Sequence, residues 1–363
     1  SIHLEIPTLH ATGFVAGFAL LVTVLSPAPA QQAAHDLGLP PLPPVTADVD
    51  RSDILFADRL LPDRTTSPLG ANAPQKVIIS KTETGTGFDE VLWYQLPTGY
   101  DPEGAPVPMM VCWHGYGASS QSVHVQSTLD EECDTRGWIY LSVTGLDDQL
   151  FGSPASQEHA DLANQWALDQ GHVGEHRVYM AGLSMGAGRV PNYAARHRDP
   201  NGIMIAGLGM VAGSWDRTQT YNLGSPLLQA IMENFYNFDG SPLDEPFNYR
   251  QASCLYFSEA SYPPEPGTLV MRECMGINLA GLPIYMTRDP LDTTGEATTQ
   301  GPVMASYLTS IGATVSENLV ELPGPVHHSW EVLDEVDFFD YVDGATVDRF
   351  PADFTARLDR SGR

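Results

Sequence analysis

A serine, two aspartates and two histidines occur in this sequence in an order that can perform acyl transfer. Ser184 is the central residue of the pentapeptide at positions 182–186 (GLSMG), between an apolar β-rich run and a helical pattern. This arrangement predicts a strand, a tight turn and a helix, the nucleophile elbow of serine hydrolases. Gly182 and Gly186 are needed there because side chains would collide with the adjacent strand and helix. The turn would present the Ser184 hydroxyl at a helix N-terminus, which favours developing negative charge.

An acid and a base follow the serine in the order that elbow enzymes use, first Asp and then His. Asp289 lies two residues after the end of the apolar run Leu282–Thr287, and His328 follows a second run at 316–322. We predict Ser184 as the nucleophile, His328 as its general base and Asp289 as the carboxylate that orients the imidazole. Asp292 remains a rival acid and His327 a rival base.

A glycine-containing loop at positions 114–117 (HGYG) follows the continuous apolar run Val107–Trp113. In elbow enzymes this loop supplies one backbone N–H of the oxyanion hole, and the residue after the serine supplies the other. We therefore predict Tyr116 and Met185 as the two donors. The predicted substrate-binding residues are His114, Gly115, Trp215 and Trp330. No metal or organic cofactor is required by this chemistry.

The elements that must position these residues form a predicted α/β fold. Residues 76–81 and 90–96 alternate like antiparallel strands, and later strands and helices then alternate along the chain, which implies a mostly parallel sheet flanked by helices. Periodicity fails from about 213 to 281, where aromatic residues, proline and asparagine are frequent. So long an irregular stretch in a compact domain predicts a functional lid that overhangs Ser184.

The N-terminal segment predicts export. Residues 13–25 form an apolar run followed by a small-residue cleavage site ending at Ala30, typical of a signal peptide over 1–30. No Lys or Arg precedes the run and the chain begins with Ser1, so we expect a truncated or misassigned start. Residues 31–75 are rich in Pro, Ala and Asp and predict a linker, and residues 76–363 predict the catalytic domain. We expect no membrane association after processing.

The net charge indicates which classes of partner are disfavoured, and the cysteines indicate which disulfides an exported protein could form. With Lys+Arg 18 against Asp+Glu 45, the formal net charge is −27, which disfavours nucleic acid and anionic polymers as partners. In an exported protein disulfides are expected, and Cys254 and Cys274 lie in one insertion, which favours their pairing. Cys112 and Cys133 either pair or are small buried hydrophobic residues.

The motifs at 114–117, 182–186, 289–290 and 324–330 together resemble a family of secreted esterases. That family includes polyhydroxybutyrate depolymerases, feruloyl esterases and acetyl xylan esterases, and the resemblance covers about residues 76–345. It implies an α/β-hydrolase fold and a carboxylic ester substrate, often polymeric. We expect a polyhydroxyalkanoate depolymerase, with a feruloyl or acetyl xylan esterase, a secreted serine peptidase of the same fold and a non-catalytic binding protein as alternatives.

Overall fold

An eight-stranded sheet forms the centre of the part of the chain that the computed structural model describes, residues 72–148, 151–198, 202–224, 226–234, 238–256, 274–293 and 297–347. The predicted signal peptide and nearly all of the predicted linker lie outside these residues. The strands are β1 Gln75–Ile79, β2 Glu90–Gln95, β3 Val107–Trp113, β4 Ile139–Val143, β5 Val173–Leu183, β6 Gly207–Val211, β7 Pro283–Arg288 and β8 Thr314–Leu319.

The strand order is β1-β2-β4-β3-β5-β6-β7-β8. β2 pairs antiparallel with both β1 and β4, whereas every pairing from β4 through β8 is parallel. The six parallel strands therefore direct their carboxyl ends to one edge of the sheet, where a site can be assembled from the loops that follow them. This architecture confirms the predicted mostly parallel sheet flanked by helices.

Helices cover both faces of the sheet. The α-helices are α1 Lys81–Thr84, α2 Ser120–Gln126, α3 Leu129–Arg136, α4 Pro154–Gln170, α5 Met185–Arg196, α6 Arg217–Leu223, α7 Pro226–Asn234, α8 Pro246–Gln251, α9 Ala297–Ser310 and α10 Glu335–Val342, and the 3₁₀ helices are Met275–Leu279 and Trp330–Val332. Along β3, Met109, Val111 and Trp113 belong to one buried cluster and Met110 and Cys112 to the other. This period of two shows that apolar cores lie on both sides of the sheet.

Two elements of the fold end where they do for local reasons. Residues 120–136 form two helices and not one, because both the amide and the hydroxyl of Ser127 bond to the carbonyl of Val123 and end α2. The last strand, expected over 316–322, ends at Leu319. Leu322 instead donates its N–H to Oδ2 of Asp289 at 2.8 Å, so this segment leaves the sheet to join the acid loop.

Several of the described aromatic residues of the insertion at 213–281 are buried. Phe238 and Tyr249 are fully buried against each other, with ring centroids 4.4 Å apart, and Tyr221 meets Tyr249 edge-on. These side chains form a small core between the insertion helices and offer no broad contact surface. Among the described residues of the insertion, the most exposed large apolar side chains are Leu243, 94% exposed, and Phe247, 70% exposed.

The four cysteines are buried and form no disulfide in the structure, so the expected bond between Cys254 and Cys274 is not formed. Both pack into the apolar cluster on one face of the sheet, and Cys274 Sγ accepts the N–H of Tyr256 at 3.2 Å. Cys112 and Cys133 pack into the opposite cluster. Burial raises the pKa of the Cys112, Cys133 and Cys254 thiols, as expected for small apolar residues.

None of the helices in the described part of the chain is both long and apolar enough to cross a bilayer. The described residues also contain no group of three or more His, Cys, Asp or Glu side chains that could hold a metal ion.

Candidate active site

Ser184 occupies a strained turn between β5 and α5. Its φ of 58° and ψ of −117° are rare for a residue with a side chain and are held by the packing around it. A Cβ on Gly182 would lie 2.5 Å from the carbonyl carbon of Gly186, and one on Gly186 would lie 2.5 Å from the oxygen of Trp113. Because neither strand nor helix backbone can move away cheaply, the two glycines are required for the reasons that the sequence indicated.

Other strained residues lie at the same edge of the sheet. Besides Ser184, positive φ angles occur at Leu146 and Phe151 in the loop after β4 and at Ala212 directly after β6. The N–H of Ser184 bonds to the carbonyl of Val211, and the N–H of Ala212 bonds to that of Thr287. Backbone strain concentrates at functional sites, where surrounding structure over-determines the conformation. This cluster marks the carboxyl edge around β4, β5 and β6 as the candidate site.

Two Asp–His pairs connect the loop after β7 with the loop after β8. His328 Nδ1 lies 2.6 Å from Asp292 Oδ2, and His327 Nδ1 lies 2.8 Å from Asp289 Oδ2. Both carboxylates are fully buried, and both imidazoles are about one-fifth exposed. The sequence predicted a pair between Asp289 and His328, and the structure corrects this: His328 is joined to the rival acid, Asp292.

The distance of each aspartate from the end of β7 decides which histidine it meets. Asp289 follows the last strand residue immediately, so its carboxylate accepts the N–H of Leu291 at 2.7 Å and that of Leu322 at 2.8 Å. Burial works to raise the pKa of Asp289, but these two bonds and His327 outweigh it, and the pKa is lowered. Asp292, one turn further on, is the residue that reaches His328.

The second nitrogen of His328 distinguishes it from its neighbour. His328 Nε2 is buried and has no hydrogen-bond partner among the described residues. An unpartnered buried polar atom is costly, about 1–3 kcal/mol, and its persistence calls for a functional reason. The half-buried Ser184 also forms no side-chain hydrogen bond within the described part of the chain. Since β6 separates β5 from β7, the serine strand and the acid strand are roughly 10 Å apart, a span that an Asp–His pair can bridge.

The loop at 114–117 lies against the serine as predicted. A Cβ on Gly115 would be 3.6 Å from Cβ of Ser184, in ordinary contact. Next to it, the ring of Tyr116 stacks on Phe151 with centroids 5.1 Å apart, and the Phe151 N–H points to Met185 Sδ at 3.4 Å. Met185 begins α5, whose first N–H groups have no intrahelical partner. The two predicted oxyanion donors are thus Met185, which follows the serine in the chain, and Tyr116, which follows the glycine in contact with it.

Three predicted substrate-binding residues are buried in the core instead. His114 is fully buried, with Nδ1 2.8 Å from the oxygen of Gly115 and Nε2 3.1 Å from that of Thr144. Trp215 donates its indole N–H to Ala187 in α5, and Trp330 packs into the cluster that contains α10. In each case the side chain anchors a loop of the site to the core. Gly115 is the member of the predicted set that contacts the nucleophile.

Burial lowers the pKa of two neighbouring residues, His114 in the loop at 114–117 and Arg189 in α5. Burial, assisted by the nearby guanidinium of Arg189, lowers the pKa of His114 to about 4, so the ring is neutral near pH 7. A neutral imidazole has one N–H, and therefore only one of its two carbonyl contacts is a hydrogen bond. Burial lowers the pKa of Arg189 to about 9, which leaves it charged near pH 7, with NH1 on the carbonyl of Thr144 and its guanidinium over Trp113.

Several residues of this region were missed by the sequence analysis. They are Glu90 and His159, which form a buried pair, Arg189, which bonds to the carbonyl of Thr144 while Glu90 accepts the N–H of that same residue, and Phe151, which stacks on Tyr116. A glutamate at the start of a strand or an arginine in an amphipathic helix carries no signal of burial in the sequence. Only the strained loop after β4 brings these residues together.

Solved structures resemble this chain in fold, although neither a protein-family model nor a curated protein sequence matches it. Fluorophosphonate-binding serine hydrolase F of Staphylococcus aureus, solved with substrate bound, is 12% identical over 76% of this chain and all of its own, with a TM-score of 0.52. Dipeptidyl peptidase 4 of Porphyromonas gingivalis is 13% identical over 74% of this chain and 36% of its own, with a TM-score of 0.50. A thermostable esterase is 13% identical over 76% of this chain, with a TM-score of 0.47.

These comparisons, together with the sheet topology, show that the chain has an α/β-hydrolase fold. The chain spans 63% of the length of the thermostable esterase and 36% of that of the peptidase. At such low identity the likeness concerns the fold and not the reaction.

Proposed function

We propose that this protein is a serine hydrolase that cleaves carboxylic esters through Ser184, His328 and Asp292. The observation that carries the proposal is the pairing of a buried, half-satisfied imidazole with a buried carboxylate on the same sheet edge as a strained elbow serine. A carboxylate on Nδ1 fixes the tautomer in which Nε2 has a free lone pair, which is the form a general base needs.

The reaction follows from these positions. His328 Nε2 takes the proton of Ser184 as Oγ bonds to the ester carbonyl carbon, and the carbonyl π pair becomes an oxyanion. The N–H groups of Tyr116 and Met185 stabilise that oxyanion, while Asp292 stabilises the imidazolium. His328 then protonates the leaving alcohol, and water repeats the sequence on the acyl-enzyme to release the acid.

For the substrate, we propose a hydrophobic ester, with polyhydroxyalkanoate first and feruloyl-type aryl esters second. Support comes from the exposed Leu243 and Phe247 on the insertion and from the formal net charge of −27, which disfavours anionic substrates. We keep secretion as part of this proposal, on the apolar run and cleavage site within residues 13–31. Amino-terminal sequencing of the exported protein tests it, and a mature protein that retains the run contradicts it.

The first test compares an ester with an amide. The intact protein is assayed with p-nitrophenyl butyrate, a peptide p-nitroanilide, emulsified polyhydroxybutyrate, a feruloyl ester and an acetylated sugar, beside Ser184→Ala. We expect ester turnover that Ser184→Ala lowers by about 10⁴-fold or more, because the nucleophile is lost while a small side chain preserves the elbow.

Each other outcome of this test has a definite meaning. Faster amide than ester turnover would make the protein a peptidase, and preference for the acetylated sugar would make it a carbohydrate esterase. Near-native turnover by Ser184→Ala, or none by the intact protein, contradicts the assignment of Ser184.

A further inference from the structure

Glu90 is a fully buried carboxylate at the start of β2 whose hydrogen-bonding capacity is filled. Oε1 accepts the N–H of Gly145 at 2.9 Å and that of Thr144 at 3.1 Å, which it shares with the carbonyl of Val91, also at 3.1 Å. Oε2 accepts the N–H of Leu146 at 2.8 Å and meets His159 Nδ1 at 3.1 Å. Four donors thus occupy about four lone-pair positions, which a carboxylate has and an amide lacks. A buried charge with this many donors is held for a specific geometry.

The geometry that Glu90 holds is the strained start of the loop after β4. Leu146 has a φ of 77°, which is unfavourable for a residue with a branched side chain, and its N–H is one of the four donors. Strain of this kind persists only where other contacts fix the backbone. The carboxylate of Glu90 provides three such contacts on consecutive residues.

This loop in turn holds the backbone beside the nucleophile. The carbonyl of Asp148 accepts the N–H of Gly117 at 2.9 Å, and the carbonyl of Thr144 lies 3.1 Å from His114 Nε2. Phe151, further along the same loop, stacks on Tyr116 and directs its N–H to Met185 Sδ. The contacts therefore reach both sides of Tyr116 and the residue that follows Ser184.

Glu90 is too distant to touch the reacting atoms. In the strand order, β4 and β3 lie between β2 and β5, so the strand of Glu90 is roughly 14 Å from the strand of Ser184. Any effect of Glu90 on the reaction must pass through the loop after β4. Residues that act in this way change the alignment of donors that touch the substrate.

We propose that Glu90 is a positioning residue for the oxyanion hole, acting through the loop after β4, with His159 holding its carboxylate. This inference rests on the proposed serine hydrolase activity. It assigns a role to two buried residues that lie outside the triad.

His159 links this carboxylate to the protein surface. With Nδ1–H donated to Glu90, its Nε2 accepts from the hydroxyl of Thr86 at 2.8 Å. His159 is almost fully buried, whereas Thr86 is partly exposed. An asparagine at 159 places an amide N–H where Nδ1–H lies, so His159→Asn is the conservative variant and His159→Leu is the one that removes the donor.

The experiment measures kcat and KM for p-nitrophenyl butyrate and the inhibition constant of an aryl trifluoromethyl ketone. In that inhibitor Ser184 Oγ bonds to the ketone carbon, its proton passes to His328 and the carbonyl oxygen becomes an oxyanion. For Glu90→Gln we expect kcat to fall about 10- to 100-fold with KM within about threefold, because the oxyanion forms only in the transition state. The inhibition constant should rise by the same factor as kcat/KM falls.

The matched control is Tyr179→Phe, at a position in β5 five residues before Ser184. It removes the hydrogen bond of 2.7 Å from the Tyr179 hydroxyl to the carbonyl of Ala345. It should leave kcat and the inhibition constant unchanged. His159→Asn should retain most of the wild-type kcat, and His159→Leu should lose it in the manner of Glu90→Gln. If Glu90→Gln does not fold, the two His159 variants decide the question.

The outcomes separate the inference from the function it rests on. Absence of Ser184-dependent turnover in the wild type overturns the proposed function. The positioning role alone is overturned if the wild type is active and Glu90→Gln or His159→Leu has the same kcat and inhibition constant as Tyr179→Phe.

Discussion

The two Asp–His pairs of this molecule share their chemistry but differ in what surrounds them. In both, a buried carboxylate bonds to Nδ1 of a histidine that is mostly buried, and adjacent residues supply the two imidazoles. Asp289 also accepts the N–H groups of Leu291 and Leu322, so it joins the loop after β7 to the loop after β8. His328, in contrast, keeps a buried Nε2 without a partner among the described residues.

This difference shows that an Asp–His contact does not identify a catalytic pair. A pair whose carboxylate is engaged by backbone N–H groups fixes the loops, and its bonds are made in the ground state. In the other pair the imidazole Nε2 has no hydrogen-bond partner among the described residues and can accept a proton, which is what a general base requires. We therefore propose a structural role for Asp289–His327 and a catalytic role for Asp292–His328, and each role has measurable consequences.

The largest expected effect is on turnover. We expect His328→Ala and Asp292→Asn to lower kcat for p-nitrophenyl butyrate by about 10⁴-fold or more, because the base or its correct tautomer is lost. His327→Ala and Asp289→Asn should each lower kcat by no more than about tenfold. Steady-state kinetics of the four purified variants, with folding checked by circular dichroism, measures this ranking.

A reversed ranking would return the catalytic roles to Asp289 and His327. Equal losses in all four variants would mean that the two pairs act as one unit, and the comparison itself would then be wrong.

A smaller effect is expected on stability, with the two aspartate variants ranked in the opposite order from their effects on kcat. Asp289→Asn should lower the free energy of unfolding by about 2 kcal/mol, because charged hydrogen bonds to Leu291, Leu322 and His327 are weakened in a buried site. Asp292→Asn should cost less, since residues that serve the reaction are seldom optimised for stability. Urea denaturation at pH 7 measures both, and a larger loss in Asp292→Asn contradicts the structural role of Asp289.

The sequence indicated the nucleophile side of the site well for a physical reason. The elbow at 182–186 is specified by adjacent residues, because the glycines that avoid collision are two positions on either side of Ser184. The same locality made the apolar strands predictable, and the mostly parallel pairing of the sheet followed from the alternation of strands and helices.

The pairing of the aspartates with the histidines depends on contacts between the loops after β7 and β8, which no local sequence pattern specifies. Asp289 and Asp292 are three residues apart, and which of them meets His328 depends on how the loop after β7 turns and on the bonds from Leu291 and Leu322. The buried Glu90 network likewise joins β2, the loop after β4 and α4, which are far apart in the chain. Trp215 and Trp330 were misassigned because aromatic residues beside a site can anchor a loop as well as bind substrate.

The smallest expected effect concerns the pH dependence of that stability difference. The pKa of Asp289 is lowered in the folded protein, whereas in the unfolded chain an aspartate has a pKa near 3.9. The stability it contributes is therefore fully present above about pH 4 and is lost as the pH falls through its folded pKa. Asparagine does not titrate, so the gap in unfolding free energy between wild type and Asp289→Asn should be constant from pH 7 to about 5 and should narrow toward pH 3.

Urea denaturation at pH 7, 5, 4 and 3 measures this gap in unfolding free energy. Tyr179→Phe is the control, and its gap should stay constant because neither tyrosine nor phenylalanine titrates in this range. A gap for Asp289→Asn that stays constant down to pH 3, or that widens, would show that the Asp289 carboxylate is not the charged partner of the loop after β8.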